Sequence, residues 1–225
     1  MTKETYTLLE NYMLESMADS AHDAEHVYRV LYNALEIAKG ENADLDVLIA
    51  ACLLHDIGRK EQLEDPSRCH AQVGSQKARD FLQANGFGEA FAEQVCHCIG
   101  THRFRKNSPP QTLEAKILFD ADKLDVTGAL GIARTLMYKG NVTEPIYTKD
   151  NGTICDGSGD APASFFLEYK FKLEKLYDKF YTLRGAQLAR QRRAAAVAFY
   201  ESLYREINTG YVAGQQHLRE VLEDA

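Results

Sequence analysis

The sequence predicts an all-α protein, and three observations lead to this prediction. Apolar residues recur at steps of three and four along most of the 225 residues, which is the period of an amphipathic helix. Residues that favour the N-cap position of a helix precede several of these runs, and glycine follows some of them. No stretch shows the strict alternation of apolar and polar residues that is typical of a half-buried strand.

The first half of the chain contains a series of predicted helices. One begins after Ser20, a suitable N-cap, and ends at Gly40. Asp44 can cap the next run, LDVLIAACLLHD, which stops at Gly58 and is apolar on nearly every side. A helix of that kind is expected at the centre of a domain. Two amphipathic helices, separated by the turn sequence NGFG, are predicted at His70–Ala84 and at 89–100.

The second half is predicted to be helical on both sides of an irregular segment. Pro109-Pro110 interrupts the chain, and Thr112 can cap a run that extends to Lys139 as one long helix or two broken ones. The helical pattern disappears between 140 and 162, where glycine is frequent. Further helices are predicted at 163–183, 186–207 and 211–222.

We interpret residues 1–225 as one compact helical domain with its functional core at about 20–140. The C-terminal helices at 163–222 are too few and too charged to form a second core, so we expect them to pack on the first ones. The loop at 140–162 is long enough to be a lid or a binding loop, and a linker between domains is the alternative.

Composition argues against several classes of protein. The net charge is −7, from 26 basic and 33 acidic residues, which argues against a nucleic-acid partner. No apolar run approaches the roughly 18 residues of a membrane span, and the first residues lack the basic and apolar regions of a secretory signal. We therefore expect no membrane partner. The five cysteines lie mostly in apolar helical runs, which favours free thiols in a cytoplasmic protein.

Histidine is the most informative residue type, because six of the seven lie between positions 22 and 102. His55 and Asp56 end the apolar helix, and imidazole and carboxylate are common ligands of a divalent metal. A charged Asp56 directly after LIAACLL is costly to bury unless it binds a cation or is otherwise paired. The alternative is an exposed Asp56 beside a His55 that only caps the last carbonyls.

A second acidic cluster lies in the run KILFDADKLD. Asp122 and Asp125 are three residues apart on one helical face, and Asp122 lies at the edge of the buried side. Asp120 points elsewhere, and an exposed acidic face remains the alternative interpretation for it. Two acidic clusters in apolar surroundings indicate a shared ligand.

His22 and His26 are one turn apart and share a helical face. The five residues from His22 to His26 also match the inverted zinc-protease pattern H-x-x-E-H. A protease of that kind needs a glutamate as third ligand, and none stands out in a suitable helical context. Nothing in the sequence suggests a peptide cleft either, so a protease is not favoured.

The ordered set His26, His55-Asp56 and Asp122 resembles the HD-domain phosphohydrolase superfamily, whose pattern is H…HD…D. The segments AEHVYRVLYNALEIA, AACLLHDIGR and AKILFDADKLDVTGALGIAR resemble the helices that carry the metal ligands in that superfamily. The sequence FFLEYKFKLEKLYDKFYTLRGAQLARQRRAAAVAFYESL resembles the C-terminal helices of a bacterial subgroup of predicted HD hydrolases. The resemblance therefore covers almost the whole chain.

The resemblance implies a metal-dependent phosphohydrolase. His26, His55, Asp56 and Asp122 would bind one divalent ion, with Mn, Fe, Ni, Co, Mg and Zn as the candidates. Such an ion activates water and polarises a phosphoryl oxygen, so the expected partner is a nucleotide or another small phosphorylated molecule. Supporting residues are His22 and Asp125. Candidate phosphate-binding cations are Arg59, Lys60, Arg103 and Lys123.

Three further histidines leave the number of metals open. His70 and His102 are placed like the additional ligands of two-metal HD proteins, in which Asp56 would bridge the ions. His97, five residues before His102, shares its face only if Gly100 breaks the helix. The subgroup that the C-terminal region resembles generally lacks an equivalent of His70. The alternatives for these imidazoles are therefore phosphate contacts or a proton donor to the leaving oxygen.

Two other functions remain open on the sequence alone. The additional histidines also suit an HD-fold oxygenase with two irons. A helical domain that binds a ligand for regulation, without catalysis, is the third interpretation. The long charged C-terminal helices could also pair two subunits into a homodimer.

Overall fold

The structure is a computed structural model that describes residues 1–17, 24–103, 108–159 and 161–223. Within these ranges the chain is helical apart from its loops and one short hairpin, so the prediction of an all-α fold is confirmed. None of the described helices combines the length and the apolar character that a membrane crossing requires.

The described residues fall into two compact units. The first takes in Met1–Asp125 and Phe180–Gln187, and the second takes in Val126–Lys179 and the chain from Leu188 onward. The interpretation of 1–225 as one domain, with C-terminal helices packed on a core at about 20–140, stays a prediction.

The first unit is built around a central apolar helix. Its helices are α1 (Lys3–Met17), α2 (Ala24–Ala38), α3 (Leu45–Leu54), α4 (Arg59–Glu64), α5 (His70–Ala84), α6 (Glu89–Thr101) and α7 (Leu113–Leu124). Seven of the ten residues of α3 are buried, and this helix packs against α1, α2, α6 and α7. The Asp44 carboxylate caps α3 by accepting hydrogen bonds from the backbone N–H groups of Asp46 and Val47. The prediction of a capped, buried, central helix is confirmed.

Two helices lie outside the predicted set. α1 buries Leu9, Met13 and Met17, which are spaced by four residues, so its apolar stripe is narrow. α4 has only six residues and buries none of them. Both patterns are too weak for a prediction from periodicity. Contacts with the rest of the unit hold these helices in place.

The run after Thr112 forms two helices, which is the second of the two predicted alternatives. α7 begins at the predicted cap, where the Thr112 hydroxyl accepts a hydrogen bond from the N–H of Ala115. α8 (Gly128–Asn141) begins at Gly128, whose φ of 66° lies in the left-handed region that favours glycine. A right-handed helix cannot continue through that conformation, so the chain breaks between Leu124 and Gly128.

Asp120 is fully buried, so the alternative of an exposed acidic face is wrong for this residue. Its carboxylate accepts hydrogen bonds from the backbone N–H groups of Tyr181 and Thr182 and from the Thr182 hydroxyl. Several donors around one carboxylate offset the cost of its burial. Asp120 thereby holds residues 180–187 against α7 inside the first unit.

The second unit has an aromatic core. Its elements are α8, an antiparallel hairpin of β1 (Lys149–Asp150) and β2 (Thr153–Ile154), α9 (Phe165–Phe171), a 3₁₀ turn at Leu173–Lys175 and most of α10 (Leu183–Glu223). Phe165, Phe166, Tyr169 and Tyr200 are buried, and the rings of Tyr169 and Tyr200 stack with their centres 4.1 Å apart. The hairpin lies in the segment that the sequence predicted to be irregular, because strands of two residues show no alternation.

The C-terminal helices differ in extent from the prediction. The helix predicted at 163–183 ends at Phe171, and the helices predicted at 186–207 and 211–222 form one helix of 41 residues, α10. Gly210 lies in the interior of α10, where glycine costs about 1 kcal/mol relative to alanine. That cost weakens a helix without ending it.

Candidate metal centre

His55 and Asp56 follow directly after α3, and both side chains are fully buried. The alternative of an exposed Asp56 is therefore wrong, although His55 does cap the helix: its Nδ1 donates to the Cys52 carbonyl at 2.7 Å. Arg59 Nε donates to Asp56 Oδ1 at 2.9 Å. Asp56 Oδ2 is buried and accepts no hydrogen bond from the described residues. A buried carboxylate oxygen in that state indicates a cation as its partner.

Four imidazoles converge on the Asp56 carboxylate, two on each oxygen. Nε2 of His26 and Nε2 of His55 each lie 3.6 Å from Oδ2. On the other side, Nε2 of His70 lies 3.4 Å and Nε2 of His102 lies 3.7 Å from Oδ1. The rings come from α2, from the end of α3, from the start of α5 and from the end of α6. Helix packing thus brings together four residues that span 77 positions of the sequence.

The second ring nitrogen of each histidine faces an acceptor, which fixes the position of the proton. The pairs are His55 with the Cys52 carbonyl at 2.7 Å, His102 with the Ile99 carbonyl at 2.6 Å, His70 with Gln62 Oε1 at 2.5 Å and His26 with Asp125 Oδ2 at 2.7 Å. Since these oxygens only accept, each Nδ1 carries the proton. In its neutral form, each ring therefore presents the lone pair of Nε2 toward Asp56.

The four Nε2 atoms also face one another in two pairs. His26 and His55 are 3.4 Å apart at these atoms, and His70 and His102 are 3.1 Å apart. Two lone pairs at such distances repel unless a proton or a cation lies between them. Donors that each bind one metal at about 2.1 Å lie about 3.0–3.4 Å from each other, so both pairs have the spacing of ligands on a shared ion.

The donor set fits two divalent ions with Asp56 between them. His26, His55 and Asp56 form one group that could hold an ion, which we call position 1. Asp56, His70 and His102 form the other, which we call position 2. Imidazole and carboxylate donors suit Mn, Fe, Co, Ni and Zn. The number of ions bound and the part played by each residue remain predictions that this geometry supports.

Asp122 reaches position 1 from α7. Its Oδ1 lies 3.3 Å from His26 Nε2, and 26% of its side chain is exposed. The residues at Asp56 are almost entirely buried by comparison. Position 1 therefore opens to solvent past Asp122, where a water or a substrate oxygen can reach it.

Asp125 lies behind His26 and is held by Arg29. The Asp125 side chain is fully buried, and Arg29 donates to both of its oxygens, from Nε at 2.8 Å and from Nη2 at 3.1 Å. Arg29 is three residues after His26 on α2, and Asp125 is three residues after Asp122 at the end of α7. The pair on α2 and the pair on α7 therefore face each other where these two helices pack together. Sequence analysis missed Arg29, although its spacing from His26 was a usable signal.

Position 1 attracts positive charge. Burial acts to lower the pKa of His26, but the carboxylates of Asp122 and Asp125 raise it to about 9. Burial alone would raise the pKa of Asp56, yet its interactions with His55 and with the guanidinium of Arg59 hold it well below its usual value. A divalent ion bound here would replace the proton on Nε2 of His26 and leave the Nδ1 proton on its bond to Asp125.

Position 2 has the opposite balance. Burial and the nearby guanidinium of Arg59 lower the pKa of His70 to about 2. Burial and His55 lower the pKa of His102 to about 4. Both rings are therefore neutral at physiological pH, which is the form that binds a metal.

The four candidate phosphate-binding cations lie in different surroundings. Arg59 is in direct contact with Asp56 and is 24% exposed. The others are Lys60, which is exposed, Arg103, whose Nη1 lies 3.8 Å from Cys69 Sγ, and Lys123, whose ammonium lies 3.9 Å from the ring centre of Phe119. A phosphate contact by these three residues stays a prediction.

The structure does not bring every predicted residue to the cluster. His97 lies in α6, where its Nε2 accepts a hydrogen bond from the N–H of Gln111 at 3.3 Å, and it belongs to neither metal position. α6 runs through Gly100 to Thr101, so the break that would align His97 with His102 is absent from this described helix. His22 lies outside the described residues.

Two residues that sequence analysis missed shape position 2. Gln62 on α4 holds His70 through its amide oxygen. At Gly58, a Cβ atom would lie 2.4 Å from the His70 carbonyl oxygen and 2.6 Å from the Gly74 nitrogen, which is far too close. Only glycine lets α5 approach the end of α3 this closely. The glycine directly after His55-Asp56-Ile57 was the signal for this approach.

These helices and their ordered H…HD…D residues define the class of protein. The sequence profile of the HD domain family matches residues 23–127, and the chain belongs to this family, whose domains bind divalent metals. YpgQ of Bacillus subtilis, described as an uncharacterized protein, is 33% identical over 192 residues, which are 84% of this chain and 85% of YpgQ. The predicted resemblance to the HD superfamily is confirmed.

Solved structures are similar over most of the chain. The crystal structure of Bacillus subtilis YpgQ in complex with ADP has a TM-score of 0.69 at 28% identity, covering 88% of this chain and 97% of that one. A predicted HD superfamily hydrolase from an uncultured Thermotogales bacterium has a TM-score of 0.61 at 30% identity, covering 88% and 90%. The second structure, together with the family match, agrees with membership in the HD-superfamily hydrolases.

Proposed function

We propose that this protein is a divalent-metal-dependent phosphohydrolase that cleaves a phosphoester or phosphoanhydride bond of a nucleotide. The observation that carries the proposal is the buried Asp56 carboxylate with two Nε2 atoms on each oxygen. A divalent ion held there would lower the pKa of a bound water and polarise a phosphoryl oxygen.

The side chains of this site are oriented for metal binding before any ion arrives. His26, His55, Asp56 and Asp122 would hold an ion at position 1. His70 and His102 would hold a second ion with Asp56 at position 2. Because each Nδ1–H is tied to an oxygen acceptor, each Nε2 points at Asp56 without reorganisation.

Arg59 is placed to bind the phosphoryl group. A guanidinium carries five N–H donors in a planar fork, and the bond to Asp56 uses one of them. Its side chain is partly exposed beside the metal positions. Arg59 would offset the charge that develops on the phosphoryl oxygens during transfer.

A relative supports the choice of a nucleotide. The YpgQ structure contains ADP, and a nucleoside diphosphate carries the phosphoanhydride bond that the proposed reaction hydrolyses. All five cysteines of this chain have free thiols. This agrees with the proposal that the reaction takes place in the cytoplasm, where thiols stay reduced.

The test is hydrolysis by protein of known metal content. Protein stripped with a chelator and reloaded with Mn, Co, Ni or Mg should release phosphate or pyrophosphate from members of a panel of nucleoside mono-, di- and triphosphates. Asp56→Asn should lose metal and activity together, because it removes the charge shared by both positions. His217→Ala is the matched control, since this imidazole is 79% exposed and belongs to neither position, and it should change neither quantity.

Other outcomes would point to other functions. Inertness of folded, metal-loaded protein toward the whole panel would contradict the proposal. Two retained iron ions with oxygen consumption and without phosphate release would favour the two-iron oxygenase, which also needs two metal positions. A regulatory ligand-binding domain predicts that Asp122→Ala leaves the biological output unchanged.

A further inference from the structure

We propose that the two metal positions are unequal. Position 1 fills first and retains its ion because Asp125 supports it, and position 2 exchanges its ion because Arg59 holds the same carboxylate oxygen. This inference rests on the proposed metal-dependent function and concerns the order and strength of ion binding, which the similarity to HD proteins does not specify.

The first argument is the difference among the partners of the four Nδ1–H groups. His55, His70 and His102 donate to neutral oxygens, whereas His26 donates to the carboxylate of Asp125. A carboxylate on the far side of an imidazole makes the metal-facing nitrogen a better donor. His26 is therefore the strongest of the four imidazole ligands.

The second argument is that Asp125 cannot turn away from His26. Arg29 grips both Asp125 oxygens through two N–H groups, at 2.8 and 3.1 Å, and the carboxylate is fully buried. A two-point contact between a guanidinium and a carboxylate fixes both position and orientation. Arg29 and Asp125 thus act as positioning residues for His26.

The third argument is the count of carboxylates near each ion. Position 1 has Asp56 and Asp122 beside His26 Nε2, at 3.6 and 3.3 Å, and Asp125 on the far side of the ring. Among the described residues, the group at position 2 contains one carboxylate, that of Asp56, which both positions share. The attraction for a divalent cation is therefore greater at position 1.

The fourth argument is the cation already present at position 2. Arg59 Nε lies 2.9 Å from Asp56 Oδ1, the oxygen that faces His70 and His102. An ion entering position 2 must share this oxygen with a guanidinium or displace it. Either event opposes binding there and leaves position 1, on Oδ2, unaffected.

The experiment is a metal titration of the full chain with Mn²⁺, and with Co²⁺ to follow ligand geometry by visible absorption. We expect two binding constants that are well separated for the wild type. After gel filtration in metal-free buffer, elemental analysis should find one ion per chain. A second ion should bind only while free metal is present.

Two variants separate the two halves of the proposal. Asp125→Asn should weaken the tighter site about 10- to 100-fold and leave the weaker one unchanged. Arg59→Gln should strengthen the weaker site by about tenfold and leave the tighter one unchanged, because it removes a charge-assisted hydrogen bond that competes for Oδ1. His217→Ala serves as the control for both.

Several results would overturn the inference. Equal affinities in the wild type would do so, as would a single ion at saturation, which still agrees with a one-metal phosphohydrolase. Unchanged constants in Asp125→Asn would remove the positioning role of Asp125. If that variant fails to fold, Arg29→Lys, which keeps the charge and loses the fork, must weaken the tighter site alone. A wild type that binds no ion would instead refute the proposed function.

Discussion

Asp56 is the residue on which this site depends, because one buried carboxylate faces four imidazoles and a guanidinium. Polar groups at this density are costly to desolvate when no ion accompanies them. A ligand that binds the folded state alone stabilises it by mass action. The cluster could therefore hold a metal, and an ion bound there would stabilise the folded state.

Gly58 shows how one residue can control position 2. A Cβ atom in Gly58→Ala would meet backbone atoms of α5, so the start of α5 must move and carry His70 with it. We expect a loss of about 1–3 kcal/mol in the free energy of unfolding and loss of the weaker metal site, with the tighter site kept. Denaturant unfolding and metal titration measure the two effects.

Gly210→Ala is the control for that variant. No atom lies within 4 Å of a Cβ added at Gly210, inside α10, so alanine should stabilise the protein by about 0.5–1 kcal/mol. Equal behaviour of the two variants would mean that the close approach at Gly58 is unimportant.

At the scale of elements, three aspartates in and directly after α7 have three different roles. Each residue turns the helix by about 100°, so Asp120 and Asp122 point to opposite sides while Asp122 and Asp125 share a face. Asp120 holds the backbone at Tyr181 and Thr182, Asp122 faces position 1, and Asp125 holds His26. A single amphipathic helix thus links the start of α10 to the metal centre within the first unit.

Asp120→Ala tests the structural task. It leaves the backbone N–H groups of Tyr181 and Thr182 without their acceptor. The bond from Thr182 is buried, and a buried unpaired donor costs about 1–3 kcal/mol. We expect a comparable loss in the free energy of unfolding, measured with denaturant. Asp120→Asn keeps one acceptor oxygen and should lose less. If both variants unfold like the wild type, Asp120 does not hold residues 180–187.

Tyr169 gives a pH-dependent prediction for the packing of α9 on α10. Its hydroxyl is buried without a hydrogen-bond partner among the described residues, and burial together with Glu174 raises its pKa to about 12. Below pH 10 the residue is neutral in both states. Between about pH 10 and 12 it ionises in the unfolded chain first, so stability falls as pH rises.

Tyr169→Phe should reduce this alkaline loss. At neutral pH it should leave stability unchanged or raise it by about 1 kcal/mol, because it removes an unpaired buried hydroxyl and keeps the ring stacked on Tyr200. Melting temperatures from pH 7 to 11 provide the measurement. A destabilised variant at neutral pH would show that the hydroxyl has a partner.

At the scale of the whole molecule, the candidate metal centre and the aromatic core belong to different units. Every residue of positions 1 and 2 belongs to the first unit, and the stacked rings of α9 and α10 belong to the second. The use of the loop at 140–162 as a lid and the pairing of C-terminal helices into a homodimer stay predictions. Light scattering of the purified chain measures the second directly.

Local pattern was sufficient for much of the fold. The predicted bounds of His70–Ala84 agree with α5, and the caps at Asp44 and Thr112 are where the sequence placed them. Helix periodicity and caps involve neighbours within a few residues, so they can be recognised in a single sequence. The order of His26, His55-Asp56 and Asp122 likewise identified the family before any contact was known.

Contacts between distant helices decided the rest. The sequence left open whether a break at Gly100 brings His97 to the same face as His102. In the structure packing turns His102 toward Asp56, whereas His97 contacts the backbone of Gln111. Arg29 and Gln62 carry no motif, and their partners lie on other helices. The sequence therefore determined the fold class and the order of the candidate ligands. The pairing of imidazoles on the two oxygens of Asp56 depended on the rotation and approach of whole helices, which only tertiary packing sets.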